Sequence, residues 1–253
     1  MLSTERRKWI LDEITRTGQL VTSQAASQLG VSEVTIRSDL DDLARRGRIT
    51  RTHGGAVIPE TRTGVFDFEA RMLLNTEAKR QIALAAQPYV HSNQTVIFDA
   101  GSTVLHLAQV MPDVRDLTVY TPGITTARQL LALEGIDVRL LGGRLDPRRL
   151  ETVGSPDEQG IKDVLAHTLF MGIQGIDSDL DMVEQSRDVA AGKLHYMRRA
   201  RTVVLLIDSS KWNHAALAKV ASVNELDIVI TDSGIDESVR QRVSELDLDL
   251  VIA

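Results

Sequence analysis

The sequence predicts an α/β protein headed by a small winged helix-turn-helix. Three observations carry that expectation. The first 57 residues hold three short helical patterns and a glycine-turned hairpin, and from residue 76 onward apolar strand-like runs alternate with helical ones. The charge also changes sign: residues 1–57 carry nine Lys/Arg against seven Asp/Glu, a net of +2, while the remaining 20 basic and 28 acidic residues give −8. Such asymmetry fits two parts with different partners.

The elements follow in order. Trp9, Ile10 and Ile14, with Leu2 earlier, mark a first helix that Gly18 ends. Thr22 is expected to cap a second helix bearing Ala25, Ala26 and Leu29, closed by Gly30. Ser32 caps a third, in which Ile36, Leu40 and Leu43 fall at i, i+4 and i+7. Gly47 stops it, and Arg45 and Arg46 occupy the last turn, where cations suit the helix dipole. Ile49, Thr50 and Thr52, a turn at His53-Gly54-Gly55, and Ala56, Val57 and Ile58 make the hairpin. Residues 1–57 are thus expected to form the winged helix-turn-helix, 58–75 a linker or docking arm, and 76–253 the larger α/β domain. Its strands are expected at Thr95–Asp99, Leu117–Thr121, Val138–Gly143, Thr168–Ile173, Thr202–Asp208, Asp227–Asp232 and Asp249–Ala253. Helices such as Val104–Val110, Thr125–Leu133, Asp188–Arg199 and Glu237–Leu246 lie between most of them. Apolar strands alternating with helices specify a mostly parallel sheet.

Composition excludes several classes. No apolar run approaches the ~18 residues of a membrane helix, and charges within MLSTERRKWILDEI speak against a signal peptide. There is no cysteine, so disulfides, zinc-thiolate sites and cysteine nucleophiles are excluded, which fits a reducing cytoplasm. His91, His106, His167, His195 and His214 lack ligand-like spacing, so neither metal nor cofactor is assigned. Trp9 reads as core of the first helix.

The stretch GVSEVTIRSDLDDLARRG carries the first functional signal. An exposed helix of mixed charge is ordinarily a solvated face. Here it follows a short helix and a tight turn and precedes a basic hairpin, which is the order in which a second helix enters the major groove. Facing away from its apolar stripe are Glu33, Thr35, Arg37, Ser38, Asp41 and Asp42. Arg37 suits a bidentate bond to a guanine edge. Ser32, Thr35 and Ser38 suit phosphates or bases. Asp39, Asp41 and Asp42 lie where the helix would leave the DNA, placed to pair with arginines or oppose wrong docking. Arg48, Arg51 and His53 on the hairpin would reach the flanking backbone. The run GVSEVTIRSDLDDLARRGRITRTHGGA resembles the N-terminal domain of the DeoR family of bacterial transcription regulators. Ser38 departs from it, since many members carry a second arginine there, and the departure bears on the operator sequence.

Four loops at strand ends carry the second signal: DAGST (99–103), LLGGRL (140–145), MGIQGID (171–177) and DSSKW (208–212). Open α/β sheets bind ligands at the carboxyl ends of their strands. Gly101 permits close backbone approach, and Ser102 and Thr103 open a helix, an anion-accepting geometry. Gly142, Gly143, Arg144 and Lys211 add loop freedom and cations. The paired glycines alone read as a plain turn and Lys211 alone as a surface lysine, while DAGST alone fits a turn and an anion site equally; the four loops together favour a small anionic ligand.

VIFDAGST, LLGGRL, LFMGIQGID and VVLLIDSSKW also resemble the effector domain of the DeoR family, which resembles ribose-5-phosphate isomerase in fold. The resemblance implies a repressor of sugar or sugar-alcohol catabolic genes that senses a phosphorylated sugar or polyol, without catalysis. It implies operator DNA as partner, a dimeric or tetrameric homo-oligomer, and relief of repression by the effector. It implies a ligand shell of Asp99, Gly101, Ser102, Thr103, Gly142, Gly143 and Lys211, with Arg144. Thr121-Pro122 stands where Thr-Asn is common, and IDSDLDMVEQSRD lacks a glycine often seen after the third loop; both bear on which ligand is held. Two alternatives stay open: a sugar-phosphate isomerase with a DNA-binding head, using Asp99 and Lys211, and a DNA-architectural protein, which the acidic bulk disfavours.

Overall fold

The computed structural model describes residues 3–17, 19–45, 49–52, 54–57 and 68–253. Its contacts divide the chain into two compact units, 1–76 and 77–253. Among the described residues, no helix is long and apolar enough to cross a membrane.

The first unit comprises α1 (Ser3–Thr17), β1 (Gln19–Val21), α2 (Thr22–Leu29), α3 (Glu33–Arg45), β2 (Thr50–Thr52), β3 (Gly55–Val57) and α4 (Phe68–Leu73). Ile10, Ile14, Ile36, Leu40 and Leu43 meet in its core, which is the helical spacing of the sequence turned into a shared apolar face. Gly30 ends α2 in the left-handed conformation at φ 63°, and Ser32 Oγ accepts the Thr35 N–H at 3.2 Å to start α3. Thr22 departs from its expected role. It is buried inside the first turn of α2, Val21 holds the cap position, and no side chain caps the helix. The reason is β1, a strand too short for its periodicity to register, which runs straight into the helix. It makes the sheet three-stranded and antiparallel, in the order β1-β3-β2. Leu2, Gly18, Arg46, Gly47 and Ile58 lie outside the described residues.

Acidic residues of α3 join it to α1. Asp39 and Asp42 take ion pairs from Arg6 and Arg7 respectively, and Arg7 Nε also lies 3.3 Å from Asp39. Asp39 is buried, so these contacts work in a shielded setting. The stretch read as a linker contains α4, whose Phe68 and Ala70 are buried.

The second unit runs α5 (Thr76–Ala86), β4 (Thr95–Phe98), α6 (Ser102–Gln109), β5 (Leu117–Thr121), α7 (Ile124–Leu130), β6 (Ile136–Leu140), β7 (Arg144–Asp146) and β8 (Glu151–Val153). It continues α8 (Pro156–Gln159), β9 (Ala166–Met171), β10 (Gly175–Ile176), β11 (Asp181–Glu184), α9 (Arg187–Met197) and β12 (Ala200–Leu206). It ends β13 (Ala218–Ser222), β14 (Ile228–Thr231), α10 (Glu237–Ser244) and β15 (Asp249–Ile252). The seven strands marked by apolar runs form one parallel sheet, ordered β15-β14-β12-β9-β4-β5-β6. Phe98 and Phe170 pair across β4 and β9 and meet edge to face, centroids 5.2 Å apart. From β4 the chain builds outward through β5 to β6, then returns to place β9 on the other flank of β4. The order therefore reverses between β4 and β9, where α/β sheets open a crevice at their carboxyl ends. The hairpin β7/β8 and the antiparallel sheet β10-β11-β13 are additions the apolar pattern did not mark.

Gly55 opens β3, the middle strand of the wing sheet, and pairs with Val21. A Cβ there would fall 1.8 Å from the Leu20 carbonyl oxygen, backbone that cannot swing aside. Gly55→Ala is expected to cost about 1–3 kcal/mol of stability through forced backbone shifts. Lowered hydrogen-exchange protection in β1 and β3 would show it; unchanged protection and melting would contradict it.

Candidate functional site

Two surfaces are built from the elements above, one in each unit. On α3 the buried stripe is Ile36, Asp39, Leu40 and Leu43. The opposite face presents Ser32, Glu33, Arg37, Ser38 and Asp41 to solvent. It also presents Val34, 72% exposed. Sequence reasoning passed over Val34 because an apolar residue reads as core, yet it sits off the i, i+4 stripe. An exposed apolar group in the first turn suits a thymine methyl. Arg37 bonds Glu33 at 2.8 Å, both largely exposed. Such a surface pair is weak and readily exchanged for a base contact. Thr35 is half-buried, its hydroxyl 2.9 Å from Ser32 Oγ. Arg51 reaches back to α3, 3.1 Å from Asp41, and donates to the Gly55 carbonyl at 3.0 Å. Arg48 and His53 lie outside the described residues.

In the second unit the carboxyl ends of β4 and β9 hold a buried charge cluster. Asp99 is buried, accepts the Gly172 N–H at 3.2 Å and pairs with Lys193 of α9. Lys193 also donates to the Gly172 carbonyl at 2.8 Å and lies 3.6 Å from Glu184. Arg149 bridges Glu184 at 3.1 Å and Glu151 at 2.5 Å. All five charged side chains are buried. Burial raises the Asp99 carboxyl above its ordinary value, and the Lys193 charge opposes that rise. Burial alone would strip the Lys193 ammonium; Asp99, then Glu184 and Glu151, hold its pKa above normal. Burial outweighs Arg149 and Lys193 at Glu151, whose carboxyl is pushed up to about 7.

The cluster floors a cleft. Asp99, Glu151, Lys193, Gln159 and Tyr196 enclose a niche of about 10 Å³, room for about one water. Through Gly154 and Gly192 it continues into a cleft of about 850 Å³ walled by Arg144, Ser155, Asp188 and His195. That is the size range of small-molecule sites. Among the described residues the Arg144 guanidinium meets no carboxylate and His195 Nε2, though buried, has no hydrogen-bond partner. Glu158 is occupied, closing a capping box with Ser155.

The predicted ligand residues distribute unevenly. Asp99, Gly143 and Arg144 border the niche or the cleft. Gly101 has open space where a Cβ would point, as does Gly172 across the reversal. Ser102 and Thr103 are buried in the first turn of α6, and Thr103 Oγ1 has no partner. Gly142 serves packing: a Cβ would lie 2.3 Å from the Glu158 carbonyl oxygen. Gly143 sits at φ 113° with the Val153 oxygen 2.6 Å from any Cβ. Lys211 donates to the Ile173 carbonyl at 3.1 Å and borders neither cavity. The residues sequence reasoning missed are Lys193, Glu184, Arg149 and Glu151. A signal existed for one: Lys193 falls within the buried stripe Val189, Ala190, Tyr196 and Met197 of α9. A lysine on an apolar stripe needs a buried partner.

The raised Glu151 value sets a pH dependence. The folded protein binds this proton more tightly than the unfolded chain, so its contribution to stability is complete below about pH 4.5 and fades as pH rises through about 7. Glu151→Gln is expected to flatten denaturant-measured stability between pH 5 and 8. An unchanged slope would show that Glu151 does not titrate there.

The chain matches the family model "DeoR-like helix-turn-helix domain" over residues 6–62 and "DeoR C terminal sensor domain" over residues 74–233. It is 29% identical to the "Putative aga operon transcriptional repressor" of Escherichia coli O157:H7, over 99% of this chain and 94% of that protein. It is 28% identical to the "Glycerol-3-phosphate regulon repressor" of Escherichia coli (strain K12), over 99% of both. A solved D-ribose-5-phosphate isomerase in complex with phospho-erythronic acid aligns over 54% of each chain at 14% identity and TM-score 0.40. With its helix-turn-helix and its sensor domain both matched, the chain belongs to the DeoR family of transcription regulators.

Proposed function

We propose that this regulator represses sugar or sugar-alcohol catabolic genes and that a phosphorylated sugar or polyol, held in the cleft of its second unit, sets its affinity for the operator. The observation that carries this reading is the cleft itself. It joins a polar, hydrogen-bonding floor to an unpaired arginine at its wall, which suits a small molecule with hydroxyls at one end and an anionic group at the other. The names of two relatives, an aga operon repressor and a glycerol-3-phosphate regulon repressor, agree with that class. Asp188 and His195 add polar groups for hydroxyls between floor and wall.

On the DNA side, α3 enters the major groove with Val34, Arg37 and Ser38 towards the bases, while Ser32 and Arg51 hold backbone phosphates. Two readers in a dimer or tetramer would meet a repeated or palindromic operator. The effector switches the protein only if it binds the operator-competent and operator-incompetent states with different affinity; a tenfold change in operator binding requires about 1.4 kcal/mol of such difference. No turnover is part of this function.

One observation favours an isomerase instead: Glu151, with its carboxyl near pH 7 beside the cleft, has the proton affinity of a general base. Incubation with pentose and hexose phosphates separates the readings, since product formation supports the enzyme and thermal stabilisation without product supports the sensor.

Two outcomes are expected. Arg37→Ala costs about 1–3 kcal/mol of specific operator affinity and relaxes preference at one base pair; a gel-shift series with retained selectivity would remove Arg37 from the readout. In a thermal-shift screen of phosphorylated sugars and polyols, at least one compound raises the melting temperature, and Arg144→Ala weakens that response about tenfold or more in ligand concentration. A response indifferent to Arg144→Ala would place the ligand's anionic group elsewhere.

A further inference from the structure

We propose that the outer edge of β6 pairs with the same strand of a second copy, antiparallel, about a two-fold axis through Val138. The inference concerns association alone and stands whichever ligand or operator the protein takes.

Strand β6 ends the parallel sheet, and among the described residues no strand pairs with its outer side. Its backbone direction is fixed by two bonds to β5. Leu117 N–H donates to the Gly135 carbonyl, and Leu141 N–H donates to the Thr121 carbonyl. Amides alternate sides along a strand, so Asp137 and Arg139 also face β5, whereas Ile136, Val138 and Leu140 turn their N–H and C=O groups outward. An unpaired edge of this kind is a template for another strand unless charge, proline or a bulge blocks it.

The sequence Ile136-Asp137-Val138-Arg139-Leu140 does not block it; it matches itself. Reversed about Val138, it sets Asp137 opposite Arg139 of the second copy, and Arg139 opposite its Asp137. It sets Ile136 opposite Leu140, and Val138 opposite Val138. The outward amides at 136, 138 and 140 coincide with the hydrogen-bonded positions of that register, and the charged pairs occupy the closer, non-hydrogen-bonded positions. Backbone direction and side-chain chemistry thus choose the same axis independently. Leu140 is 50% exposed, which leaves apolar area for the pairing to cover. Asp137 and Arg139 already lie 2.9 Å apart on one face, and Arg139 bonds the Tyr120 hydroxyl at 3.3 Å. Both side chains are more than half exposed, so they are oriented yet free to extend across an axis. The other sheet edge lacks this match: Glu245, Asp247 and Asp249 lead into β15, and residues 245–253 hold no cation, so a two-fold pairing there finds no opposite charge.

Sedimentation of the full chain tests the proposal. The wild type is expected to associate beyond the 27.9 kDa monomer. Asp137→Arg and Arg139→Asp each set two like-charge pairs across the axis and should raise the dissociation constant about tenfold or more. An equimolar mixture of those two variants, and separately the double reversal, restores opposite charges and should recover wild-type association. Val138→Pro removes a central outward N–H at a place where proline is tolerated, and should dissociate the pair while leaving circular dichroism and melting near wild type. The proposal is overturned by a monomeric wild type, by single variants that associate as tightly as wild type, or by a loss that neither the mixture nor the double reversal repairs.

Discussion

The Lys193 ammonium is the constraint around which the sensor unit is arranged. It is fully enclosed, and it is bonded at once to the acid that ends β4 and to a backbone carbonyl just past β9. A buried cation is tolerable only with counter-charges and acceptors in place. Those partners come from separate parts of the chain: Asp99 from the sheet, Glu184 from the small antiparallel sheet, and Gly172 from the loop after β9. Helix α9 must therefore dock in one register, and the two strands flanking the reversal must keep their ends level. The cleft inherits its floor from that requirement, so the contacts that fix the fold also shape the proposed ligand site.

Much of this was legible in the sequence. Apolar runs reported all seven strands of the parallel sheet; the inner strands, such as β12 and β14, are covered on both faces and need no alternation, while β5 and the edge strand β6 alternate between buried and more exposed positions. The i, i+4, i+7 stripe of α3 and the serine before it marked the helix and where it starts. What escaped notice follows a physical pattern. β1 and β10 have three and two residues, too few to show a period. Thr22 has the chemistry of a cap, but a strand feeding directly into its helix leaves it inside the first turn. In the cleft, Asp99 could be seen as a strand-end acid, whereas its partner lies 94 positions further on and no local rule connects them. Arg149, Glu151 and Glu184 sit on short strands and turns whose meeting depends on the tertiary fold. Lys211, a cation near small residues, borders neither cavity, and its ammonium donates to a loop carbonyl.

The two units use charge in contrasting ways. On α3, Asp39 and Asp42 are turned inward onto Arg6 and Arg7, which leaves the outward face less acidic than its composition implies. That explains how a helix with three aspartates can serve polyanionic DNA. In the sensor unit, charges are drawn into the interior, and the excess of acid over base elsewhere on the surface limits indiscriminate attraction to nucleic acid. Specific binding then depends on the few groups that α3 and the wing present.

The paired glycines at 142 and 143 carry a consequence for how such a protein diversifies. Backbone atoms of Glu158 and Val153 fill the space that any larger side chain would need. The loop's path is consequently locked, and mutational drift there is met by loss of packing before any new chemistry is sampled. In the ligand site proposed above, retuning towards another metabolite is channelled instead to side chains projecting from that rigid frame, such as Arg144, Asp188 and His195, which can be exchanged while the scaffold holds its shape.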